Sequence, residues 1–174
     1  CNCTFCIRNN GDGAYGSDPL WLEHQPTLEE IKADLAKRDL AAYRQIVFCG
    51  YGEPTCELEL LKDTARYIKS VCKTPLRINT NKRDTAPEFA GLIDVISISL
   101  NAPTKEEYEA VTRPSFKDAD SFGAMLKFAQ EVKKYVPQVM FTVVDIIGED
   151  EIKRSQKVAD SVGIHLRVRE MITD

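Results

Sequence analysis

The feature that most constrains the fold is a regular alternation of short β-rich runs and helical segments along the 174-residue chain. The β-rich runs predict five strands, at residues 45–49, 76–80, 95–100, 139–147 and 165–171. Apolar residues recur at helical spacing at residues 57–71, 87–92, 105–111, 121–135 and 149–162. Strands that alternate with helices form right-handed crossover units and a parallel sheet. We therefore expect an α/β fold, and both a flat doubly wound sheet and an incomplete (β/α) barrel fit the strand count.

The segment before the first strand carries a clear helix start. Thr27 is placed to cap the helix, and Glu30, three residues later, completes a capping box. The strand that follows, at residues 45–49, contains an uninterrupted apolar run. Such a run predicts a strand that is buried on both faces of the sheet.

Glycine and proline follow the first predicted strand, at the strand end where both candidate folds place their reactive sites. The segment contains Gly50, Gly52, Glu53 and Pro54. Glycine lets the backbone approach a ligand closely, and proline fixes the turn. A simple strand-to-helix turn explains the same residues, so this segment alone leaves both interpretations open.

The next two predicted strands end in small polar side chains. Asn79 and Asn81 alternate at the end of one strand, and Ser97, Ser99 and Asn101 alternate at the end of the next. Alternate residues on a strand point the same way, so each set could line one face. Turn formation explains the two asparagines at positions 81 and 101 individually. The repetition over successive strands nevertheless predicts a rim of hydrogen-bonding groups suited to a polar ligand.

The last predicted strand carries Arg167 and Arg169 on one face. Surface charge or salt bridging is the simpler interpretation of Arg169. The histidines, His24 and His165, are isolated, and neither has a second histidine at metal-binding spacing. We expect both to be ordinary surface or partly packed residues.

Charge and hydropathy exclude some classes of partner. The formal net charge is -4 and the sequence pI is about 5.3. The chain therefore lacks the net positive charge that proteins use to bind the phosphate backbone of a nucleic acid. A nucleic acid held in a local pocket stays open as a substrate. No apolar run reaches the roughly 20 residues that cross a bilayer.

Six cysteines are a high count for this chain, and three of them, Cys1, Cys3 and Cys6, lie within the first six residues. A secreted disulfide framework is one interpretation, but such frameworks usually belong to shorter, loop-rich chains. A zinc site needs a second CxxC-like or histidine pair, which the remaining cysteines at positions 49, 56 and 72 do not supply. A redox dithiol belongs at a helix start after a strand. An incompletely ligated iron–sulfur cluster is the remaining hypothesis.

The chain resembles the radical SAM superfamily in several separate segments that follow one another in the expected order. These are CTFC with an aromatic residue before its last cysteine, GYGEP after the next strand, and NTN, SISLN and IIGEDE after later strands. Over essentially its whole length it also resembles the TatD-associated radical SAM proteins. The segments that carry this narrower resemblance are CNCTFCIRN, FCGYGEPT, RINTN, SISLNAP and LRVRE.

The resemblance implies a radical SAM enzyme with a [4Fe–4S] cluster and S-adenosylmethionine as cofactors. It implies one core domain over residues 1–174 with a partial (β/α)6 TIM-type barrel. Cys3 and Cys6 would bind the cluster, and Phe5 would shield it. The residues implied in cofactor binding are Gly50, Gly52, Glu53 and Pro54 around the methionyl amino group, Asn79, Ser99 and Asn101 at the ribose or carboxylate, Ile146 against the adenine and Arg167 at the carboxylate. Cysteines 49, 56 and 72 are expected to be packed thiols rather than ligands.

The chain departs from the family pattern in two places. The family's motif is CxxxCxxC, and its first cysteine would lie two residues before Cys1, which itself occupies an intervening position. The strand that precedes this loop in the family is also missing, so we expect that the sequence starts inside the natural protein. Similar proteins carry a longer, glycine-containing segment after Asn81, where residues 82–84 follow here at once.

The resemblance also indicates partners and a location. It implies a cytoplasmic enzyme, a reductant such as flavodoxin or ferredoxin, and a pathway link to a TatD-type metal-dependent hydrolase. The substrate is not readable from the sequence, and a macromolecular partner or a second subunit could close an open cavity. The alternative functions are a non-enzymatic iron–sulfur or SAM-binding redox module, and a zinc-binding or disulfide-bonded structural protein.

Overall fold

Five parallel strands form one sheet in the computed structural model, which describes residues 2–9, 11–13, 18–81, 86–114 and 120–171. The strands are β1 (Ile46–Phe48), β2 (Leu76–Thr80), β3 (Val95–Ser99), β4 (Gln138–Val144) and β5 (His165–Arg169). Each strand pairs in parallel with its neighbours in sequence, in the order β1-β2-β3-β4-β5. The predicted α/β fold is confirmed. The five described strands do not close on themselves, which is consistent with a partial TIM-type barrel.

Helices connect the strands. They are α1 (Leu28–Leu35), α2 (Leu58–Val71), α3 (Lys105–Thr112), α4 (Ser121–Val132) and α5 (Glu149–Ser161), with short 3-10 turns that include Pro54–Glu57, Ala86–Phe89 and Asp145–Ile147. The predicted capping box starts α1. Thr27 Oγ1 accepts the N–H of Glu30 at 3.3 Å, and the Glu30 carboxylate accepts the N–H of Thr27 at 2.7 Å.

One face of the sheet packs against helices and forms the hydrophobic core. Ile96 and Ile98 of β3 and Phe141 of β4 are fully buried on this outer face. They belong to one cluster with Ile68 of α2 and Phe128 of α4. Burying each such side chain contributes about 1.5–3 kcal/mol. The outer face therefore holds the sheet and the helices together.

The opposite face, here called the inner face, carries the polar side chains of the strands. The register places Asn79 beside Ser97 on β2 and β3. It also places Ser99 beside Thr142, with Arg167 next in the same row. Because residues two apart on a strand share a face, these side chains line one surface toward the carboxyl ends of the strands.

Two predictions about strands are wrong, both for tertiary reasons. β1 is not buried on both faces: it lies at the edge of the described sheet, pairs with β2, and leaves Val47 39% exposed. The fourth strand ends at Val144 rather than at residue 147, because Asp145–Ile147 forms a 3-10 turn. The N–H of Gly148 donates to the carbonyl of Asp145 at 3.2 Å, and Gly148 takes a φ of 85° that favours glycine.

Smaller boundary differences concern chain segments at the ends of elements. The helix predicted at residues 87–92 is the 3-10 turn Ala86–Phe89, and the last strand ends at Arg169 rather than at residue 171. Two sequence observations, on Cys1 and on residues 82–84, lie outside the described residues. Among the helices of the described segments, none has the length and apolar character required to cross a membrane.

Candidate functional site

The cysteine loop of residues 2–9 is fixed to the end of α3 by backbone hydrogen bonds. The N–H of Asn2 donates to the carbonyl of Thr112 at 2.9 Å, and the N–H of Thr4 donates to that of Val111 at 2.9 Å. Within the loop, the N–H of Cys6 donates to the carbonyl of Cys3 at 3.2 Å and closes a turn. The loop therefore holds its two cysteines on one turn and in a defined position.

Both thiols of this turn are partly buried. Burial, and next the charge of Cys6, raises the pKa of the Cys3 thiol above its ordinary value. The guanidinium Nε of Arg8 lies 3.3 Å from Cys6 Sγ, where it can donate to a thiolate. Two thiolates three residues apart can serve one metal centre. No cluster of three or more His, Cys, Asp or Glu suited to a metal ion occurs within the described residues, and Cys1 lies outside them.

A groove of about 320 Å³ opens beside the cysteine loop. Its lining includes Phe5 from the loop, Asn101 from the end of β3 and Ile146 from the turn after β4. These three residues are distant in sequence, and each was predicted to lie at the cofactor. Ile146 is 55% exposed, so an apolar surface is available to a ligand in the groove. Sequence alone could not show that they line one groove.

Asn101 presents an unpartnered polar atom at this groove. Its side-chain Nδ2 is buried without a hydrogen-bond partner, and the residue is only 3% exposed. Its φ is 62°, a left-handed conformation that asparagine tolerates better than most residues. A buried donor without a partner costs about 1–3 kcal/mol. A ligand oxygen in the groove would satisfy this amide.

Glu53 ties the turn after β1 to the end of β2. Its carboxylate accepts four hydrogen bonds, from Thr55 N at 3.2 Å, Thr55 Oγ1 at 2.7 Å, Thr80 Oγ1 at 2.6 Å and Asn81 N at 2.8 Å. Its carbonyl accepts the N–H of Cys56 at 3.0 Å. The side chain of Glu53 thus positions the turn. The carbonyl of Gly52 accepts no hydrogen bond from the described residues, so it stays available to an amino group.

Tyr51 links the same turn to the segment after the cysteine loop, a contact that was not predicted from the sequence. Its hydroxyl donates to the carbonyl of Gly11 at 2.7 Å and lies 3.2 Å from that of Gly13. Its ring makes an edge contact with Trp21, with centroids 4.9 Å apart. The aromatic residue between two glycines in GYGEP was the only local signal for this role. Tyr51 and Glu53 therefore tie the turn to two different segments, one after the cysteine loop and one at the end of β2.

The inner face gathers positive charge near Asn79. Arg77 Nε donates to Asn79 Oδ1 at 2.8 Å. Burial lowers the pKa of Arg77, and the charges of Arg167 and Arg169 lower it further. Burial raises the pKa of Cys49, while the positive charges of arginines 77 and 169 oppose that rise. Arg167 and Arg169 were predicted from the sequence as candidate site residues, whereas Arg77 was not.

Comparison with known proteins identifies the family. The family described as the Radical SAM superfamily matches residues 2–157, which is most of the chain. The chain belongs to the radical SAM superfamily. It is an enzyme by this membership, with no substrate specified. A search of curated protein sequences finds no significant match.

A solved structure shares the radical SAM fold of this chain. It is described as "Structure of TYW1 with a lysine-pyruvate adduct bound", and it superposes with a TM-score of 0.66 at 17% sequence identity. The match covers 97% of this chain and 60% of that chain, so this radical SAM chain spans about three fifths of its length. At this identity the likeness shows the fold alone.

The residues of this radical SAM chain fit both cofactors of the superfamily, judged by the donors present. The thiols of Cys3 and Cys6 are the ligand type that iron–sulfur clusters use. The unpartnered Asn101 amide and the exposed apolar surface of Ile146 suit the polar and aromatic parts of S-adenosylmethionine. Ser99 is half-buried on the inner face beside Thr142.

The remaining cysteines and histidines lie outside this arrangement. Cys56 is an exposed free thiol, so the expectation that it is packed is wrong. Cys49 is exposed as a residue, although neighbouring groups partly desolvate its thiol, and Cys72 packs partly against the core. The apolar character of a cysteine side chain does not by itself decide whether that side chain is buried at the end of a strand or helix. His24 is exposed and contacts Glu30 at 3.1 Å, and His165 is exposed on β5, as expected.

Proposed function

We propose that the protein uses a [4Fe–4S] cluster and S-adenosylmethionine to start radical chemistry on a substrate bound at the inner face. The observation that carries this proposal is the position of the cysteine turn beside the groove of Phe5, Asn101 and Ile146. A cluster held by Cys3 and Cys6 would supply one electron for the reductive cleavage of S-adenosylmethionine, and the two cofactors together would supply a 5′-deoxyadenosyl radical for hydrogen abstraction from the substrate.

The chain's own residues bind and orient in this proposal. Cys3 and Cys6 supply two thiolates, and the Arg8 guanidinium donates a hydrogen bond to Cys6 Sγ. Phe5 covers the groove next to them and keeps water away from the bound groups.

The groove and the turn after β1 hold S-adenosylmethionine. The Asn101 amide donates to an oxygen of the ribose or carboxylate, and Ile146 packs on the adenine. The Gly52 carbonyl accepts from the methionyl amino group. Glu53 acts as a positioning residue, because its carboxylate is occupied by the four hydrogen bonds that hold this turn. Gly50, Pro54, Asn79 and Ser99 complete the proposed set.

We also propose a narrower subfamily, a location and partners for the protein. The segments CNCTFCIRN, FCGYGEPT and LRVRE support a place among the TatD-associated radical SAM proteins. Membership of this subfamily would imply a cytoplasmic location, a flavodoxin or ferredoxin as reductant, and a pathway that includes a TatD-type hydrolase.

Anaerobic reconstitution with iron and sulfide tests the cofactor proposal. In the protein extended so that a cysteine lies four residues before Cys3, we expect a broad absorption in the region of 400 nm, and release of 5′-deoxyadenosine when the protein is reduced with dithionite in the presence of S-adenosylmethionine. Cys3→Ser and Cys6→Ser should lose both signals. Cys56→Ser, which removes an exposed thiol, should keep them.

A third thiolate is needed for a cluster with one open iron. Adding a cysteine four residues before Cys3 should raise the iron content and the yield of 5′-deoxyadenosine above those of the chain as it stands. A cluster without 5′-deoxyadenosine in the extended protein would favour a non-enzymatic redox module. Stoichiometric zinc without a cluster would overturn both proposals.

A further inference from the structure

The groove beside the cysteine loop is lined by two carboxylates that have no role in the proposed function. They belong to Glu107 of α3 and Glu151 of α5. Both oxygens of Glu107 are occupied, because they accept from the two terminal nitrogens of the Arg154 guanidinium at 2.8 and 3.0 Å. One of them also accepts from Thr104 Oγ1 at 2.8 Å. Glu107 therefore joins α3 to α5.

The carboxylate of Glu151 differs from that of Glu107 because it is unoccupied. It makes no hydrogen bond and no ion pair within the described part of the chain. A glutamate at this position of a helix often accepts the N–H of the residue that caps the helix. Here the N–H of that residue, Gly148, donates instead to the carbonyl of Asp145 at 3.2 Å. Helix capping therefore does not use the Glu151 carboxylate.

The carboxylate of Glu151 lies against the turn that carries Ile146. A Cβ atom added at Gly148 would lie 3.2 Å from Glu151 Oε2. Glu151 is half-buried, whereas the side chains of the two residues before it, Glu149 and Asp150, are 90% and 94% exposed. Of these three acidic residues, two therefore face solvent and one faces the groove.

A second observation in the same groove points to a bound ligand. Asn101 is only 3% exposed, and its Nδ2 is buried without a hydrogen-bond partner. The groove thus joins a donor from Asn101, an apolar surface from Ile146 and an acceptor from Glu151. A flat ring that packs on Ile146 and carries an amino group at its edge would satisfy the carboxylate.

We propose that Glu151 accepts a hydrogen bond from the exocyclic amino group of adenine and so selects an aminopurine ligand for this groove. The amino group of adenine is a donor, and an ionised carboxylate only accepts. A hydrogen bond to a charged acceptor is stronger than one between neutral groups. This inference rests on the proposed function, since it names the residue that selects the adenine part of S-adenosylmethionine in the same site.

Calorimetric titration with adenosine and with purine riboside, which lacks only the exocyclic amino group, tests the proposal. Neither nucleoside requires a cluster, so the chain is used as it stands. We expect adenosine to bind about tenfold or more tightly than purine riboside, and S-adenosylmethionine to compete with adenosine. Glu151→Ala should weaken adenosine binding about tenfold and leave the binding of purine riboside unchanged. Asp150→Ala, at the exposed position before it, is the matched control and should bind both nucleosides as wild type does.

Several results would overturn the role of Glu151. Wild type that binds the two nucleosides equally, or does not bind adenosine, would do so without any variant. Glu151→Ala that weakens both nucleosides by the same factor would show a structural role instead. Adenosine binding that S-adenosylmethionine does not displace would place the nucleoside in another site. Circular dichroism shows whether each variant is folded.

The outcomes also separate this inference from the proposed function. Release of 5′-deoxyadenosine by the extended protein, together with equal binding of the two nucleosides, would overturn the inference and leave the proposed function in place. Selection of adenosine through Glu151, in an extended protein that forms no cluster, would support the inference and count against the proposed function.

Discussion

Removing the carboxylate of Glu53 should destabilise the fold far more than removing an ordinary surface charge. This side chain joins two consecutive β–α units, because it accepts hydrogen bonds from the turn after β1 and from the end of β2. Thr55 and Thr80 are both buried. In Glu53→Ala, the four donors lose a charged acceptor where water has little access.

The expected loss of unfolding free energy follows from the hydrogen-bond donors that cannot rotate toward other acceptors. The hydroxyls of Thr55 and Thr80 can rotate toward other acceptors, but the N–H groups of Thr55 and Asn81 are fixed by the backbone. Each fixed donor left unsatisfied costs about 1–3 kcal/mol, so Glu53→Ala should lose about 4 kcal/mol of unfolding free energy. Glu53→Gln keeps Oε1 but turns an amide toward the Asn81 N–H, and should lose about 1–2 kcal/mol. Either loss is a substantial part of the total unfolding free energy of a typical domain, which is about 5–15 kcal/mol.

Urea denaturation followed by circular dichroism at 222 nm measures these losses, with Glu23→Ala as a matched change at an exposed loop position. Fluorescence gives a local reading, since Trp21 is the single tryptophan and contacts Tyr51 of the same turn. We expect the fluorescence transition of Glu53→Ala to occur at lower urea than that of wild type. The reasoning is refuted if Glu53→Ala lies within about 0.5 kcal/mol of wild type, the range of ordinary surface substitutions. It is also refuted if Glu53→Gln loses as much as Glu53→Ala.

Two further predictions concern the groove and the first helix. Asn101→Gly should be at least as stable as wild type without ligand, because it removes the unpartnered amide at a φ of 62°, yet it should bind S-adenosylmethionine about tenfold more weakly in equilibrium dialysis. Asn101→Ala should be less stable than Asn101→Gly by about 1–2 kcal/mol, the cost of a left-handed alanine, and equal stability would contradict this. Hydrogen bonds from Thr27, and the contact with His24, lower the pKa of Glu30 to about 2. The contribution of the Glu30 carboxylate to folding stability is therefore complete above about pH 4.5 and is lost as the pH falls toward 2. Thermal melting from pH 6 to pH 2.5 should show a smaller decline for Glu30→Gln than for wild type, and parallel curves would exclude the capping carboxylate as a cause.

The parts of the fold that the sequence predicted well depend on neighbours in the chain. The capping box of Thr27 and Glu30 closes over three residues, and β2 has the predicted bounds because its run ends at the polar Asn79 and Asn81. The cysteine turn is local in the same way. Prediction failed where an apolar run continues past the sheet, as at Asp145–Ile147, since hydrophobicity does not show where pairing stops.

The sequence by itself determined the order of strands and helices, the parallel sheet and the family, because motif spacing and the period of apolar residues are properties of the chain. Only the tertiary structure decided which distant residues meet. Tyr51 reaches Gly11 and Glu53 reaches Thr80 across turns. These contacts depend on the order in which the parallel strands pair and on where the strand ends then lie. Strand order arises from the packing of all strands and helices together, so no single segment of the chain encodes it.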